Sequence, residues 1–449
     1  MRTKKIKISV WQTLALGYMF VIITGSALLM LPFATAQGEH TSYLGALFTS
    51  ASATCVTGLS PYHTGSHWSL FGQIVILCLI QLGGLGFMTF VSTLMLLFGR
   101  GLGLNSRQTL MASAGSAKFS GLSTLVKRII IGSAIFEFAG AVALCFSFVP
   151  DFGWAKGIYY SVFHSVSAFC NAGFDLLAFE GYGSLSYYAL DPIVSITVCL
   201  LIIIGGLGFC VWGDVIDCRL RFKKFQLNTK IVLVVSGVLI GVATVMFFGF
   251  EWNNTYYAEY TFGQKLLLAF FNATTPRTAG FYTTDPLKLS ESSYLLTVVL
   301  MFIGGSSGST AGGLKVGTFS VIIMGMIGVF RGKRDLNIGK KRIEYSLVSQ
   351  ALAIFAALLM IVIMSTLAIC AVEHSAAATF EAVLYECVSA ICTVGLSMNL
   401  TPHLTAISQM ILIFLMYTGR VGILTLALAL AKKRKDPEIR YPVDTLLIG

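Results

Sequence analysis

The sequence predicts an all-α polytopic membrane protein: four pseudo-symmetric span–pore-loop–span repeats, eight transmembrane helices plus four re-entrant pore helices, around one pore. The first observation behind this is composition. Of 449 residues 56% are hydrophobic, 45 more are Gly and only 11% are charged, where a soluble domain is roughly a quarter charged. The second is a motif that recurs four times at intervals close to a quarter of the chain. Such a composition excludes a water-soluble enzyme, a disordered or collagen-like chain and a disulfide scaffold.

Hydropathy predicts eight apolar spans, roughly 8–31, 70–98, 129–149, 192–213, 231–250, 294–330, 347–371 and 404–431. The first is preceded by basic residues, as in a signal peptide, but it runs well past the roughly 7–15 residues of a signal's apolar core. It is therefore predicted to be a span. The formal net charge is +11, which raises the question of nucleic acid. The positions answer it: 25 of the 31 Lys and Arg fall at 1–8, 100–128, 219–230, 331–342 and 432–440, on alternating segments. The opposite segments carry Glu39, Asp151, Asp175, Glu180 and Asp285 with only Lys156, Lys265 and Lys288. Basic residues gather on the cytoplasmic side, so both termini are predicted there, and the excess is a topology signal with no nucleic-acid partner. The ten cysteines lie mostly in apolar spans without metal-ligand spacing and read as buried reduced thiols.

The repeat is best seen in four segments: Leu47–Gly58 (LFTSASATCVTG), Val162–Gly173 (VFHSVSAFCNAG), Ala269–Gly280 (AFFNATTPRTAG) and Leu384–Gly395 (LYECVSAICTVG). Ten positions before the glycine stands an aromatic residue: Phe48, Phe163, Phe270 and Tyr385. Six before it stands Ser52, Ser167, Thr274 or Ser389, and three before it Cys55, Cys170, Arg277 or Cys392. A large apolar residue follows each glycine, and the glycines are 115, 107 and 115 residues apart. The units divide the chain at 1–100, 101–218, 219–335 and 336–431, with a basic tail at 432–449. A dozen half-apolar residues cannot cross a bilayer of about 30 Å as a helix at 1.5 Å per residue. They can enter and return, and irregular backbone at that depth is tolerated where it lines a protein-enclosed or wet cavity.

A filter replaces an ion's water with oxygen ligands, often backbone carbonyls. Glycine lets the backbone turn those carbonyls to an axis because it accepts positive φ. The candidate ion-binding residues are Cys55, Val56, Thr57 and Gly58; Cys170, Asn171, Ala172 and Gly173; Arg277, Thr278, Ala279 and Gly280; and Cys392, Thr393, Val394 and Gly395. No carboxylate lies among them, which favours a monovalent cation over a divalent one. Helices ending at the loops would point their partial negative ends at the axis, which disfavours an anion.

Three charges fall within the membrane by this count: Arg277, Lys315 and Arg420. Each costs about 2.5–3.5 kcal/mol at a helix centre on insertion scales, so each should face protein or water. Arg277 is expected to brace its loop from behind, since a cation in the path would repel the substrate. Arg420 has two readings: a barrier to cations below the filter, or an anchor paired with Glu386 or a carbonyl. The sixth span is interrupted by Gly304, Gly305, Ser306, Ser307, Gly308, Ser309, Thr310, Ala311, Gly312 and Gly313, followed by Lys315. A polar break at that depth reads as a gate. The stretch resembles a phosphate-binding loop but lacks GK[ST]. It also holds a GSSG run like that of a nucleophilic serine, but all six histidines fall outside the spans, so no enzyme is predicted. Ion-coupled carriers usually carry inverted or two-fold repeats with breaks in matched halves. Four direct repeats and a single break favour a pore over a carrier of another monovalent cation.

The four span–loop–span units with one glycine each, the broken sixth span and Arg420 resemble the Trk, Ktr and HKT superfamily of potassium transporters. The phrases TCVTGL, CNAGF, TPRTAGF and CTVGL look most like the membrane subunits of bacterial Ktr systems, the KtrB/KtrD type. The resemblance runs from about Trp11 to Tyr441-Pro442. It implies potassium uptake across the bacterial plasma membrane, sodium-stimulated, by a homodimer with one pore per subunit. It implies K+ at the filter residues as substrate, Na+ as activator, and no cofactor on this chain. Nucleotide is expected on a separate cytosolic Ktr-type regulatory ring. It implies that the filter carbonyls line the potassium sites, that 304–313 is the gating loop, and that Arg420 is the arginine beneath the filter. Family members with Ser at the position of Gly58 are similar to sodium-preferring transporters. Asn171 and Arg277 depart from the pattern, so the filter should not be four-fold symmetric in detail. The basic tail from Lys432 to Lys435 is predicted to meet either that partner or anionic membrane lipid.

Overall fold

The structure, a computed structural model, describes residues 9–36, 39–86, 89, 92, 122–177, 183–332, 336–338 and 341–430. The basic N-terminal residues, most of the segment 100–128, Glu180 and the tail 432–449 lie outside the described residues.

Four helices are long and apolar enough to cross a bilayer: Val10–Leu29 (α1), Ser123–Phe169 within Leu122–Phe169 (α4), Leu227–Phe250 (α7) and Tyr345–Val372 (α11). Leu70–Leu85 (α3), Glu291–Phe302 (α9) and Val316–Phe330 (α10) are shorter apolar helices. The outward faces of the long helices are uncovered hydrocarbon: Phe138 and Val245 are each 72% exposed and Met364 62%. A helix that presents such side chains to its surroundings is matched to lipid.

After α1, α7 and α11 the chain turns into a short helix: Tyr43–Cys55 (α2), Phe262–Thr274 (α8) and Phe380–Ile391 (α12). Each begins on a hydroxyl cap, Ser42, Thr261 or Thr379, whose oxygen accepts from the backbone N–H three residues on. In the second unit span and short helix run together through residue 169, and the turn between them is made inside α4 at Gly153 (φ 77°), after Pro150. Glycine takes that conformation without a Cβ penalty, and proline removes a ladder donor.

The second spans differ from expectation. The sequence predicts one break, in the sixth span, but two further spans are bent sharply. Pro192–Leu207 (α5) meets Phe209–Asp217 (α6) at 89°, and Ala406–Val421 (α13) meets Ile423–Leu430 (α14) at 93°. The hinges are Gly208 (φ 94°) and Gly422 (φ 91°), so a glycine in the left-handed region does what hydropathy could not reveal. The one-break argument against a carrier is corrected accordingly. The all-α expectation needs a smaller correction, for Leu336–Ile338 and Lys341–Ile343 pair as an antiparallel hairpin.

The helices pack in a closed order. The first unit meets the second through α3 and α4, and the second meets the third through α6 with α7 and α5 with α8. The third meets the fourth through α10 with α11 and α9 with α12, and the fourth returns to the first through α13 with α2 and α14 with α1. The short helices therefore sit inside, and most of α2 and α12 is buried.

Glycines in the second spans make this approach possible. A Cβ on Gly83, Gly205 or Gly419 would strike the carbonyl of Thr54, Phe169 or Ile391, four residues before the loop glycine of the same unit. Gly205→Ala is expected to lower stability by about 1–3 kcal/mol, the usual cost of overpacking. Gly237→Ala, where nothing lies within 4 Å, should be neutral or stabilise by up to about 1 kcal/mol. Thermal unfolding in detergent compares the two, and equal midpoints would refute this account of the packing.

Candidate ion pathway

The four loops after the short helices meet at their glycines. A Cβ on Gly58 would lie 2.5 Å from the Ala172 carbonyl oxygen and 3.3 Å from Gly173 Cα. On Gly173 it would lie 2.7 Å from Ala279 O and 2.9 Å from Gly280 Cα, and on Gly280 2.7 Å from Val394 O and 3.2 Å from Gly395 Cα. On Gly395 it would strike Thr57 O and lie 3.1 Å from Gly58 Cα, which closes the ring. Real Cβ atoms do not make such approaches, so four backbones share one axis with no room for a side chain.

Two residues before each glycine the backbone is left-handed: Val56 (φ 57°), Asn171 (φ 59°), Thr278 (φ 67°) and Thr393 (φ 50°). Asparagine tolerates this region, whereas Val and Thr are strained there by roughly 1–3 kcal/mol each. Hydroxyls support the strained turns. Gly58 N–H donates to Ser52 Oγ and Gly395 N–H to Ser389 Oγ, both at 3.0 Å, while Ser167 Oγ donates to Phe174 O at 2.8 Å. In the third loop the sequence assigns this place to Thr274. The structure gives it to Thr275, whose hydroxyl donates to Phe281 O, while Thr274 bonds back to Phe270 O at 2.8 Å. The reason is Pro276. It has no N–H to continue the ladder, so α8 stops at Thr274, earlier before its glycine than its counterparts do.

The four positions three before the glycine are not equivalent. Arg277 runs backwards from the axis, with Nη1 donating to Ser236 O at 3.3 Å and Nη2 to Ser236 Oγ at 3.1 Å and Gly304 O at 3.4 Å. Its own carbonyl accepts from Asn171 Nδ2 at 3.3 Å, and the same amide reaches Thr278 Oγ1 at 3.4 Å. Both departures from the repeat therefore tie the second and third loops together. Cys170 Sγ donates to Gln81 Oε1 at 3.3 Å, and all ten cysteines are free thiols.

Residues 304–313 lie on the opposite side of the loops from the glycines. Gly304 N–H donates to Leu314 O at 3.0 Å and Val316 N–H to Gly305 O at 3.0 Å, pinching the ends of the loop together. Ser306 N–H donates to Gly206 O and Phe209 N–H to Gly308 O, both at 2.9 Å. Ser309 Oγ donates to Ser306 O at 2.7 Å and receives Ala311 N–H at 3.3 Å. A Cβ on Gly312 would lie 2.9 Å from Cys392 O, so the loop comes directly under the fourth strand of the ring.

The half-buried cations at this level are satisfied by carbonyls. Lys315 Nζ donates to Ala311 O at 2.7 Å and Gly312 O at 3.3 Å. Arg420 donates to Thr310 O, Gly83 O and Gly84 O. Glu386 bonds Ser397 and Thr401 instead, so of the two anchors expected for Arg420 it is the carbonyl that is found. Arg420 thereby links the first unit, the fourth unit and the interrupted third. The count of in-span charges also needs correcting. Glu137 lies in the third span and receives Gln81 Nε2 at 3.0 and 3.1 Å. Glu137 therefore joins Arg277, Lys315 and Arg420 within the membrane, a lone acid legible in the apolar run 129–149.

Two cavities flank this core. One of about 410 Å³ is lined by Gly58, Gly173, Gly280 and Gly395 together with His63, Asp175 and Tyr282. The other, about 400 Å³, is lined by Ser307–Ser309, Lys315, Arg420 and Gly422. Among the buried oxygens without a hydrogen-bond partner are Thr57 Oγ1, Asn171 Oδ1, Thr393 Oγ1 and Thr310 Oγ1. No group of three or more metal-ligating His, Cys, Asp or Glu side chains occurs among the described residues.

Fold and site together define a membrane protein whose packed helices enclose an oxygen-lined axis between two cavities. Residues 12–440 match the TrkH family model, described as a cation transport protein, and the chain belongs to that family. It is 40% identical over 443 residues to Ktr system potassium uptake protein B of Bacillus subtilis, covering 98% of this chain and 96% of that one. It is 39% identical over 446 residues to the potassium/sodium uptake protein NtpJ of Enterococcus hirae, covering 99% and 98%. The fold is similar to the crystal structure of the potassium transporter TrkH from Vibrio parahaemolyticus. That match has a TM-score of 0.72 at 18% identity, over 96% of this chain and 87% of that one.

Replacing Thr275 with Val keeps its volume but leaves the Phe281 carbonyl buried without that donor, a loss of about 1–3 kcal/mol. Thr274→Val should cost less, since its hydroxyl bonds Phe270 O within its own helix and otherwise only the Cys199 thiol, a weak partner. Unfolding midpoints of the two variants decide between Thr275 and Thr274 as the loop's support.

Proposed function

We propose that the chain takes up potassium across the bacterial plasma membrane, binding it dehydrated in the carbonyl ring of the four loops. The observation that carries this is the closed approach of Gly58, Gly173, Gly280 and Gly395, each against the carbonyl that precedes its neighbour's glycine. Sixteen residues form the ion path, from Cys55, Cys170, Arg277 and Cys392 to those glycines, with the −3 carbonyls of Arg277 and Cys392 at its weaker end. Membership of a cation transport family supports the reading. So do relatives whose names specify potassium uptake, in one case potassium or sodium.

The architecture that goes with it is four direct repeats, eight spans and four re-entrant helices around one axis, both termini cytoplasmic. The bends at Gly208 and Gly422 fall in second spans, as the 304–313 interruption does, which suits repeated units about an axis better than inverted halves. The 304–313 loop with Lys315 and Arg420 is the gate. It is held under the ring by Arg420, and it opens when those three carbonyl bonds are released. In analogy with the Ktr systems of the relatives, the chain works as a homodimer with a cytosolic nucleotide-binding ring on the arginine side, and sodium stimulates it.

Expressed with a Ktr-type cytosolic subunit in bacteria lacking their own potassium uptake, the wild type should restore growth on low potassium. Gly58→Ser, whose Cβ meets the Ala172 carbonyl, should raise the potassium requirement on the order of tenfold, equivalent to about 1.4 kcal/mol in binding, and admit sodium. Equal rescue by both chains would remove the ring from the ion path. Arg420→Ala should raise the uptake rate at saturating potassium. A lower rate at equal amounts of folded protein would sink the gate assigned to it.

A further inference from the structure

The third span holds an acid that the proposed ion path does not use. Glu137 lies in the first limb of α4, half-buried where that helix packs on α3. A carboxylate at such depth is costly, and in general it marks a function. Both its oxygens accept from Gln81 Nε2, at 3.0 and 3.1 Å. A carboxylate only accepts, so the Gln81 amide turns its NH2 toward Glu137 and its oxygen the other way. That oxygen, Oε1, receives the Cys170 Sγ–H at 3.3 Å. Cys170 is wholly buried and is the first residue after α4, where the second loop begins. Three side chains thus form one directed chain from α4 through α3 to the loop. Ser165 Oγ, in the re-entrant limb of α4, closes the frame by donating to Glu137 O at 2.6 Å.

The arrangement is particular to this loop. Gln81 stands two residues before Gly83, and the same place before Gly205 and Gly419 is held by Ile203 and Tyr417. The Tyr417 hydroxyl donates elsewhere, to Ala15 O at 2.8 Å. Behind Cys170 lies Gly84, where a Cβ would come within 2.5 Å of Sγ. The backbone of α3 therefore blocks the loop from retreating outward, while the thiol bond resists its movement toward the axis.

We infer that Glu137 and Gln81 are positioning residues that hold the second loop back from the axis and so favour potassium over sodium. This rests on the potassium-uptake reading and deepens it. Sodium is the smaller ion and takes shorter oxygen contacts, so a ring gains sodium when one of its strands can close in. Glu137 decides which end of the Gln81 amide faces the loop. Without the carboxylate the amide is free to turn its NH2 to the thiol, and the outward bond is lost. A pair that only joined α3 to α4 would need Nε2 and the carboxylate but no bond from the loop.

Uptake of potassium and of sodium by intact cells, compared at equal amounts of folded protein in the membrane, tests this. The double variant Gln81→Leu/Glu137→Leu removes both polar partners together, which costs little stability because no charge is left buried alone. It should raise the ratio of sodium to potassium uptake about fivefold, the factor that one ordinary hydrogen bond carries. Cys170→Ala should do the same, and in the triple variant the two effects should not add, since both break one chain. Cys170→Ser keeps a donor for Gln81 and Glu137→Gln keeps an acceptor, so both should stay near the wild-type ratio. If the double variant does not reach the membrane folded, Cys170→Ala against Cys170→Ser decides alone. A wild-type ratio in the double variant and in Cys170→Ala, or effects that add in the triple variant, would overturn the brace while leaving the potassium reading intact. Absence of potassium uptake by the wild type would overturn both.

Discussion

Everything in this molecule depends on four backbones meeting where no side chain fits. Gly58, Gly173, Gly280 and Gly395 approach one another so closely that a single Cβ would displace a neighbouring carbonyl. To deliver the loops there, the short helices must lie inside the helical ring. That in turn requires Gly83, Gly205 and Gly419 to let the second spans press on the ends of those helices. Peptide groups taken into a bilayer have no water to bond, so every loop donor and acceptor not aimed at an ion must be satisfied by protein. The hydroxyls of Ser52, Ser167, Thr275 and Ser389 are placed to do that.

Strain and asymmetry are arranged around the same point. Val56, Thr278 and Thr393 are β-branched residues held in the left-handed region, a cost that only a well-packed surround sustains. The second loop uses Asn171 instead, which relieves its own backbone and spends its amide on the third loop. The third loop in turn is braced from behind by Arg277 on Ser236 and Gly304. The four loop glycines thus close one ring while their outer supports differ from loop to loop. That lets one unit carry an interrupted span without distorting the ring.

The interrupted span solves a second problem, where to hold positive charge inside the helical ring. Lys315 and Arg420 are both satisfied by carbonyls, and the arginine's partners come from the 304–313 loop and from the first unit's Gly83 and Gly84. A cation bonded in this way is held in place beside the cavity lined by Ser307–Ser309. On the far side of the ring the cavity is lined by acids, Asp175 and Asp285.

Much of this was legible in the chain because it repeats. Spans of bilayer length, the recurring aromatic–hydroxyl–glycine spacing and the interrupted stretch at 304–313 are local or periodic, and linear order preserves them. Arg277's turn away from the axis followed from charge alone. What the sequence by itself determined was therefore the class, a helical membrane protein of a cation transport family, and the recurring motif that ends on the four glycines. The tertiary structure alone decided that Thr275 supports the third loop, that Gly208 and Gly422 hinge their spans, and that Arg420 chooses carbonyls over Glu386. Each of those outcomes depends on which atoms of distant segments arrive at the same place. A hydroxyl, a glycine or a guanidinium finds its partner by distance in space, and no spacing along the chain encodes that distance.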